Sequence, residues 1–377
     1  MAEVSAALHD LLEAFGGLQA FVKPGMKVLL KPNMLSKREP DAAATTHPVL
    51  LEAVAAKCKE LGAEVWIGDS PPLIQGSVQD FWEKTGFRRV AENTKSKLIH
   101  LEAEPTQKIV LQMPYQLVQV GVSKRYFAAD IVINLPKLKT HNLTRLTGAV
   151  KNLFGLLPGL QKACLHRDFP RPQEFAQLLA RLAQALPVQL TIIDAISAMD
   201  GRGPAGGRVV WPKKLLAATH PVTADLGVCM IAGANPATIP TLQACHLISF
   251  GPSSTDQLAI VGESYNQMQY SDFNVPPTPF LDKLPKSLLK IAKKLIWMRP
   301  VIQEKSCIQC QACVKICPMK CISLRNPAIR FNYSNCISCF CCMEVCPKDA
   351  INMGTSRLIQ LVFAVRKIKR LLQGKRS

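Results

Sequence analysis

No run of about 18 apolar residues occurs in the 377-residue chain, so no segment reads as a membrane-spanning helix. Acidic residues are scarce, with 27 Asp and Glu against 46 Lys and Arg, and the resulting net charge of +19 directs attention to anionic partners. Aromatic residues make up only 6% and no nucleic-acid reading motif is visible, which ranks nucleic acid last among those partners. Charged residues are 19% against 48% hydrophobic, the balance of a globular chain. Residues Met1 to Phe21 contain no Lys or Arg and so lack the positive start of a secretory signal; with Glu3, Asp10 and Glu13 they read as an amphipathic helix. The G-x4-G-K-[ST] pattern is missing, which leaves nothing to argue for ATP, and so is G-x-G-x-x-G; Gly201-x-Gly203-Pro204 reads as a turn-forming loop.

What is present is cysteine in two copies of one run. Cys307-x2-Cys310-x2-Cys313-x3-Cys317-Pro318 is followed by Cys336-x2-Cys339-x2-Cys342-x3-Cys346-Pro347. This is the spacing of bacterial-type domains holding two [4Fe–4S] clusters, in which the cysteine before proline ligates the other cluster. It predicts Cys307, Cys310, Cys313 and Cys346 on one cube and Cys336, Cys339, Cys342 and Cys317 on the other. Zinc fits badly, because zinc sites pair two C-x2-C knuckles into one tetrahedron and here each run alone carries four cysteines. Disulfides would need an oxidising compartment, whereas oxygen-sensitive clusters suit a reducing cytoplasm. Of the 14 cysteines, Cys58, Cys164, Cys229 and Cys245 lie in apolar patterns and read as core residues, with Cys321 and Cys341 as packing residues or spare thiols.

The chain before the clusters alternates short Val- and Ile-rich runs with helix-like stretches, which predicts an α/β fold with a mostly parallel sheet and flanking helices; the cysteine runs add a small α+β two-cluster ferredoxin-like domain. Expected strands are Lys27–Leu30, Glu64–Ile67, Ile131–Asn134, Leu190–Ile193, Leu215–Ala218 and Leu258–Val261, with helices at Pro48–Leu61 and Gln173–Leu186. The expected division is 1–273 for the α/β domain, 274–299 for a Pro-rich linker and basic helix, 300–354 for the cluster domain, and 355–377 for a basic amphipathic helix.

Polar residues follow the predicted strands. Ligands of open α/β sheets bind outside the carboxyl ends of strands. If the runs are parallel neighbours, one edge gathers Lys31, Asn33, Asp69, Lys137, Lys139, His141 and Asp194, and it suits an anionic ligand. Lys151 and Asn152 lie between Gly148 and Gly155, where a backbone could approach that ligand closely. Single members have ordinary readings: Asp69 as the start of a turn, His47 as part of a cap, and Asp225 as the cap of its own helix. Lys137, Lys139 and His141 are harder to dismiss, since alternate residues of an extended segment share a face.

Lys31-Pro32-Asn33, Thr46-His47-Pro48, Gly68-Asp69-Ser70-Pro71, Lys137-x-Lys139-Thr140-His141, and Gly148 through Gly155, together with Asp194 and the loop from Gly201 to Gly206, resemble the family named domain of unknown function 362. The resemblance covers roughly residues 20 to 265. It implies the same fold and polar positions, a fused ferredoxin module and no established substrate. One segment departs from the pattern: Ala217-Ala218-Thr219-His220-Pro221 lacks the expected acidic residue.

Two basic amphipathic stretches bracket the cysteine runs. Leu284, Leu288, Ile291, Leu295 and Met298 form an apolar stripe opposite four lysines; Leu358, Leu361, Val362, Val365 and Leu372 form another beside seven Arg and Lys and no acid. Both have an ordinary reading as helices packed on the protein, and a sharper one as docking elements for an acidic redox protein or an anionic membrane surface. The expectation is a cytoplasmic ferredoxin-type iron–sulfur protein, able to associate with a membrane surface. It would relay electrons to or from a redox reaction on an anionic small molecule. Lys137, Lys139, His141 and Lys151 would hold that molecule, and His141 would also supply a proton. The alternatives are a pure carrier whose α/β domain docks partners, and structural or sensory clusters in a module that binds membrane or nucleic acid.

Overall fold

The computed structural model describes residues 1–71, 76–201, 203–276, 297–325 and 328–356. The chain forms two compact units, Met1–Pro276 and Pro277–Ser377. Both basic amphipathic stretches lie almost wholly outside the described residues, as does most of the Pro-rich linker.

In the large unit β1 (Lys27–Pro32), β2 (Glu64–Asp69), β3 (Lys97–His100), β6 (Ile131–Leu135), β7 (Lys137–His141), β8 (Arg145–Thr147) and β9 (Leu190–Asp200) make one sheet in the order β3-β2-β1-β6-β9-β7-β8. The pairs β1–β2, β1–β6, β2–β3, β6–β9 and β7–β9 are parallel. A separate antiparallel hairpin is formed by β4 (Thr106–Gln112) and β5 (Leu117–Ser123). Apart from the edge strand β3, the parallel strands are buried on both faces, as strands under two helical layers must be. Val28, Leu30, Val65 and Ile67 face one core with the helices Ala2–Glu13 and Pro48–Glu60, and the alternate Leu29 and Trp66 face the other with Pro172–Ala185 and Pro221–Ala232.

The long strand β9 organises the site. Its start pairs with β6 and its middle with β7, so β6, Pro136 and β7 run along it as one broken strand, with an irregularity between Lys137 and Lys139. Pro136 cannot donate to a ladder, but its carbonyl accepts the Asp194 N–H at 2.9 Å. The extended segment that follows β6 is therefore itself a buried strand.

Two expectations differ from what is found, Leu258–Val261 and the extent of the N-terminal helix. Leu258–Val261 is irregular and largely exposed, because β11 (Lys214–Ala218) and β10 (Arg208–Val210) already occupy the free edge of β9. β11 is antiparallel; its short connection to β9 through β10 leaves no room for the crossover a parallel pair needs. The N-terminal helix stops at Glu13, before Gly16 and Gly17, both with left-handed φ.

In the small unit, β12 (Met298–Ile302) pairs antiparallel with β15 (Ile351–Thr355), and β13 (Ile322–Arg325) with β14 (Ala328–Phe331). Each half carries one short helix, Ala312–Ile316 and Cys341–Glu344.

Candidate functional site

The small unit encloses two cavities. One, of about 340 Å³ counting its open mouth, is lined by Cys307, Cys310, Cys313 and Cys346, with Ile302, Ile308, Ile329 and Ile351 among its apolar walls. The other, about 310 Å³, is lined by Cys317, Cys336, Cys339 and Cys342, with Pro300, Ile322, Ile337 and Phe340. The cysteine preceding proline in each run thus faces the cavity of the other run. The two loops share a backbone device. Left-handed φ recurs at Gln309 and Ser338, Gln311 and Phe340, and Lys320 and Asp349, each pair offset by the same 29 positions as the cysteines. Non-glycine residues adopt this conformation at a cost of about 1 kcal/mol each, and six together show the loops held in shape by the surrounding structure. Backbone amides of Gln309 and Ala350 point at Cys307 Sγ (3.4 Å) and Cys346 Sγ (3.2 Å), the kind of N–H···S contact that tunes a cluster. Four cysteines around a cluster-sized space, apolar walls and amide donors fit an iron–sulfur cube. Cys321 and Cys341 are buried and line the second cavity as well, Cys321 Sγ lying 3.5 Å from Cys317 Sγ. Cys58, Cys229 and Cys245 are core residues, but Cys164 is exposed on the helix Gly159–Asp168, contrary to its apolar sequence setting.

In the large unit the polar residues gather where β1 and β2 end and where β6 breaks into β7. Lys31, Asp69, Lys137, Lys139, His141, Asn152 and Asp194 are all buried, while Asn33 and Lys151 are half-buried. Their contacts form three linked groups.

Lys31 Nζ pairs with Asp69 Oδ1 at 2.8 Å, and Asp69 also accepts N–H bonds from Met34 (2.7 Å) and Ser70 (2.8 Å). Gly155 is required beside this pair: a Cβ there would stand 2.0 Å from Asp69 Oδ1 and 2.6 Å from Lys31 Nζ. In the second group Lys137 Nζ donates to Asp194 Oδ2 (3.0 Å) and Ser197 Oγ (2.9 Å), and Asp194 further accepts N–H bonds from His47 (2.6 Å) and Ile196 (3.1 Å). In the third group Lys139 Nζ donates to Asn33 Oδ1 and the Ala44 carbonyl; Asn33 Nδ2 donates to Asn152 Oδ1 (3.0 Å), and Asn152 Nδ2 to Asn134 Oδ1 (2.8 Å) and to the Lys31 carbonyl (3.2 Å). Burial outweighs the carboxylate partners and lowers the pKa of Lys31 and Lys137 below the usual lysine value.

His141 ends β7, and its Nδ1 accepts the N–H groups of Leu143 (3.0 Å) and Thr144 (3.3 Å), which leaves the ring proton of the neutral form on Nε2. His47 does cap the helix Pro48–Glu60, its Nδ1 accepting from Val49. Asp225 does not cap its own helix, a role taken by His220 where the family pattern expected an acid. Instead its carboxylate accepts N–H bonds from Ala149 and from Val150 (3.2 Å) of the helix Ala149–Asn152, and burial pushes its pKa up to about 7.

Sequence reasoning missed Asn134, Ser197 and Lys162. Asn134 had a signal, as a polar residue inside the apolar run Ile131–Leu135; Lys162 and Ser197 had none.

The comparisons with known proteins follow this division. A family model described as domain of unknown function (DUF362) matches residues 28–230, and one described as a 4Fe-4S dicluster domain matches residues 299–347. The chain is 35% identical over 255 residues to Thylakoid-associated protein sll1697 of Synechocystis sp. (strain ATCC 27184 / PCC 6803 / Kazusa), covering 67% of this chain and 77% of that one. Among solved structures it is similar to the lactate racemase apoprotein from Thermoanaerobacterium thermosaccharolyticum, at 14% identity and a TM-score of 0.41, over 66% of this chain and 55% of that one. The chain thus spans little more than half of that structure.

Proposed function

Starting from a chain that belongs to the domain of unknown function 362 family and carries a 4Fe-4S dicluster domain, we propose that it transfers electrons through two [4Fe–4S] clusters to or from a redox reaction on an anionic ligand at the polar edge of the large sheet. The observation that carries the electron-transfer part is the pair of cavities, each with three cysteines of one run and the last cysteine of the other. Cys307, Cys310, Cys313 and Cys346 would hold one cluster, and Cys336, Cys339, Cys342 and Cys317 the other. Each cluster, when bound, supplies one-electron exchange.

At the sheet edge the support is a cluster of buried lysines. Lys31, Lys137, Lys139 and Lys162 are all buried there, Lys31 paired with Asp69 and Lys137 with Asp194. Lys137, committed to Asp194 and Ser197, would act through its field; Lys139 and Lys151 would meet the ligand's negative charge, with Lys31, Asn33, Asp69, Asn152 and Asp194 holding the frame. His141 would deliver a proton from Nε2 to balance the charge as electrons arrive. The +19 net charge favours an acidic redox protein as the electron partner.

The test is anaerobic reductive titration of the holoprotein followed by visible absorption and EPR. Bleaching of the cluster band with a reduced-cluster EPR signal is expected; a band that dithionite leaves unchanged would sink the relay. A second reading adds binding to an anionic membrane surface, favoured by the 35% identity to a thylakoid-associated protein and by the basic composition of residues 355–377. Co-sedimentation with anionic vesicles, with and without residues 355–377, tests it. Among the described residues no helix is long and apolar enough to cross a membrane.

A further inference from the structure

One hydroxyl at the polar edge has no partner. Ser70 follows β2 and is 2% exposed; its N–H donates to Asp69 Oδ1 (2.8 Å) and Gly155 O (3.0 Å), and its carbonyl accepts from Lys162 Nζ, yet its Oγ bonds to nothing. Lys162, on the helix Gly159–Asp168, is 7% exposed and has no carboxylate at ion-pair distance among the described residues. The charged groups around it are Asp69, Lys31, Glu102 and Lys151, and Asp69 is already engaged by Lys31 at 2.8 Å. A buried ammonium resting on a neutral carbonyl, beside an unsatisfied hydroxyl, is an arrangement that water or a bound anion must complete.

We propose that Ser70 Oγ and Lys162 Nζ form a seat for one terminal oxyanion, a carboxylate or phosphate, of the ligand bound at the sheet edge. Lys31 and Lys151 add positive potential around the seat, and Asp69 holds Lys31 in place. The seat lies beyond the carboxyl end of β2, on the side of the sheet where open α/β folds bind ligands. Burial takes Lys162 down to about 8, so at neutral pH most copies still carry the proton the seat needs. The inference rests on the anionic-ligand reading above and names the residues that would make its first contact.

The experiment is calorimetric titration of full-length, cluster-loaded protein at constant ionic strength with inorganic phosphate and, separately, acetate. Wild type is expected to bind one of the two more tightly, which identifies the oxyanion class. Ser70→Ala should weaken that probe by about 5-fold and Lys162→Met by about 10-fold or more, the losses expected for one neutral and one charge-assisted hydrogen bond. An unchanged far-ultraviolet circular dichroism spectrum and urea-unfolding midpoint in both variants reports that the large unit is intact, and the small Ser70→Ala change keeps the test valid if Lys162→Met does not fold. Binding to wild type that neither variant alters would overturn the seat and leave the anionic-ligand reading standing. If neither probe binds wild type at about 100 mM, both fall.

Discussion

Replacing Asp194 by alanine tests the polar edge at its most committed residue. The carboxylate is fully buried and serves three groups at once: the Lys137 ammonium at 3.0 Å, the His47 N–H at 2.6 Å and the Ile196 N–H at 3.1 Å. Breaking a buried ion pair by removing one partner costs about 3–5 kcal/mol. Each stranded amide adds about 1–3 kcal/mol, less whatever water entering the vacated space recovers. We expect a total near 5 kcal/mol, read as a fall of about 10 °C in the unfolding midpoint for a unit of this size. Lys137→Met added to Asp194→Ala should recover part of the loss, because removing both charges costs less than stranding one. The assay is thermal unfolding of the full-length protein followed by circular dichroism, with native-state hydrogen exchange at His47 and Ile196 to locate the effect. A fall of less than about 2 °C, or single substitutions that simply add in the double variant, would refute the reasoning.

Gly155→Ala should destabilise the large unit by about 1–3 kcal/mol in urea unfolding, since the new Cβ would lie 2.0 Å from an Asp69 carboxylate that Met34 and Ser70 hold in place. Asp225 gives a pH signature. With a folded pKa near 7 against an ordinary 3.8, the native state holds the proton longer than the unfolded one, so stability falls as pH rises from about 4 to about 7 and levels off above. The window spans about three units at roughly 1.4 kcal/mol each, so Asp225→Asn should remove a slope of up to about 4 kcal/mol from midpoints measured across that range. The crossed cysteines predict a pattern in iron content. Cys307→Ala and Cys346→Ala should each leave about four irons, their combination still about four, and Cys346→Ala with Cys336→Ala close to none.

The 4Fe-4S dicluster domain was legible because iron–sulfur chemistry writes its cysteine spacing directly into the sequence, whatever the surrounding fold. The parallel strands were legible for a related reason: burial on both faces leaves unbroken apolar runs such as Ile131–Leu135. Leu258–Val261 has the same local pattern without a partner strand, and no local pattern reports whether a sheet edge is already taken. The burial of the β7 lysines was not legible, because their partners Asp194 and Asn33 come from segments 57 and 106 residues away. Lys162 is the extreme case. It stands in a helix with no apolar stripe to mark its inner face, and only the tertiary fold brings it to the Ser70 carbonyl 92 residues away.

The central claim is that the small unit holds two cubes, each shared between the runs and each able to take an electron. Iron and acid-labile sulfide counted on anaerobically prepared protein, together with EPR of the dithionite-reduced sample, test it most directly. The account predicts about eight irons, about eight sulfides and the signals of two interacting reduced [4Fe–4S] clusters. A count near four, or zinc in place of iron with no EPR signal on reduction, would contradict it.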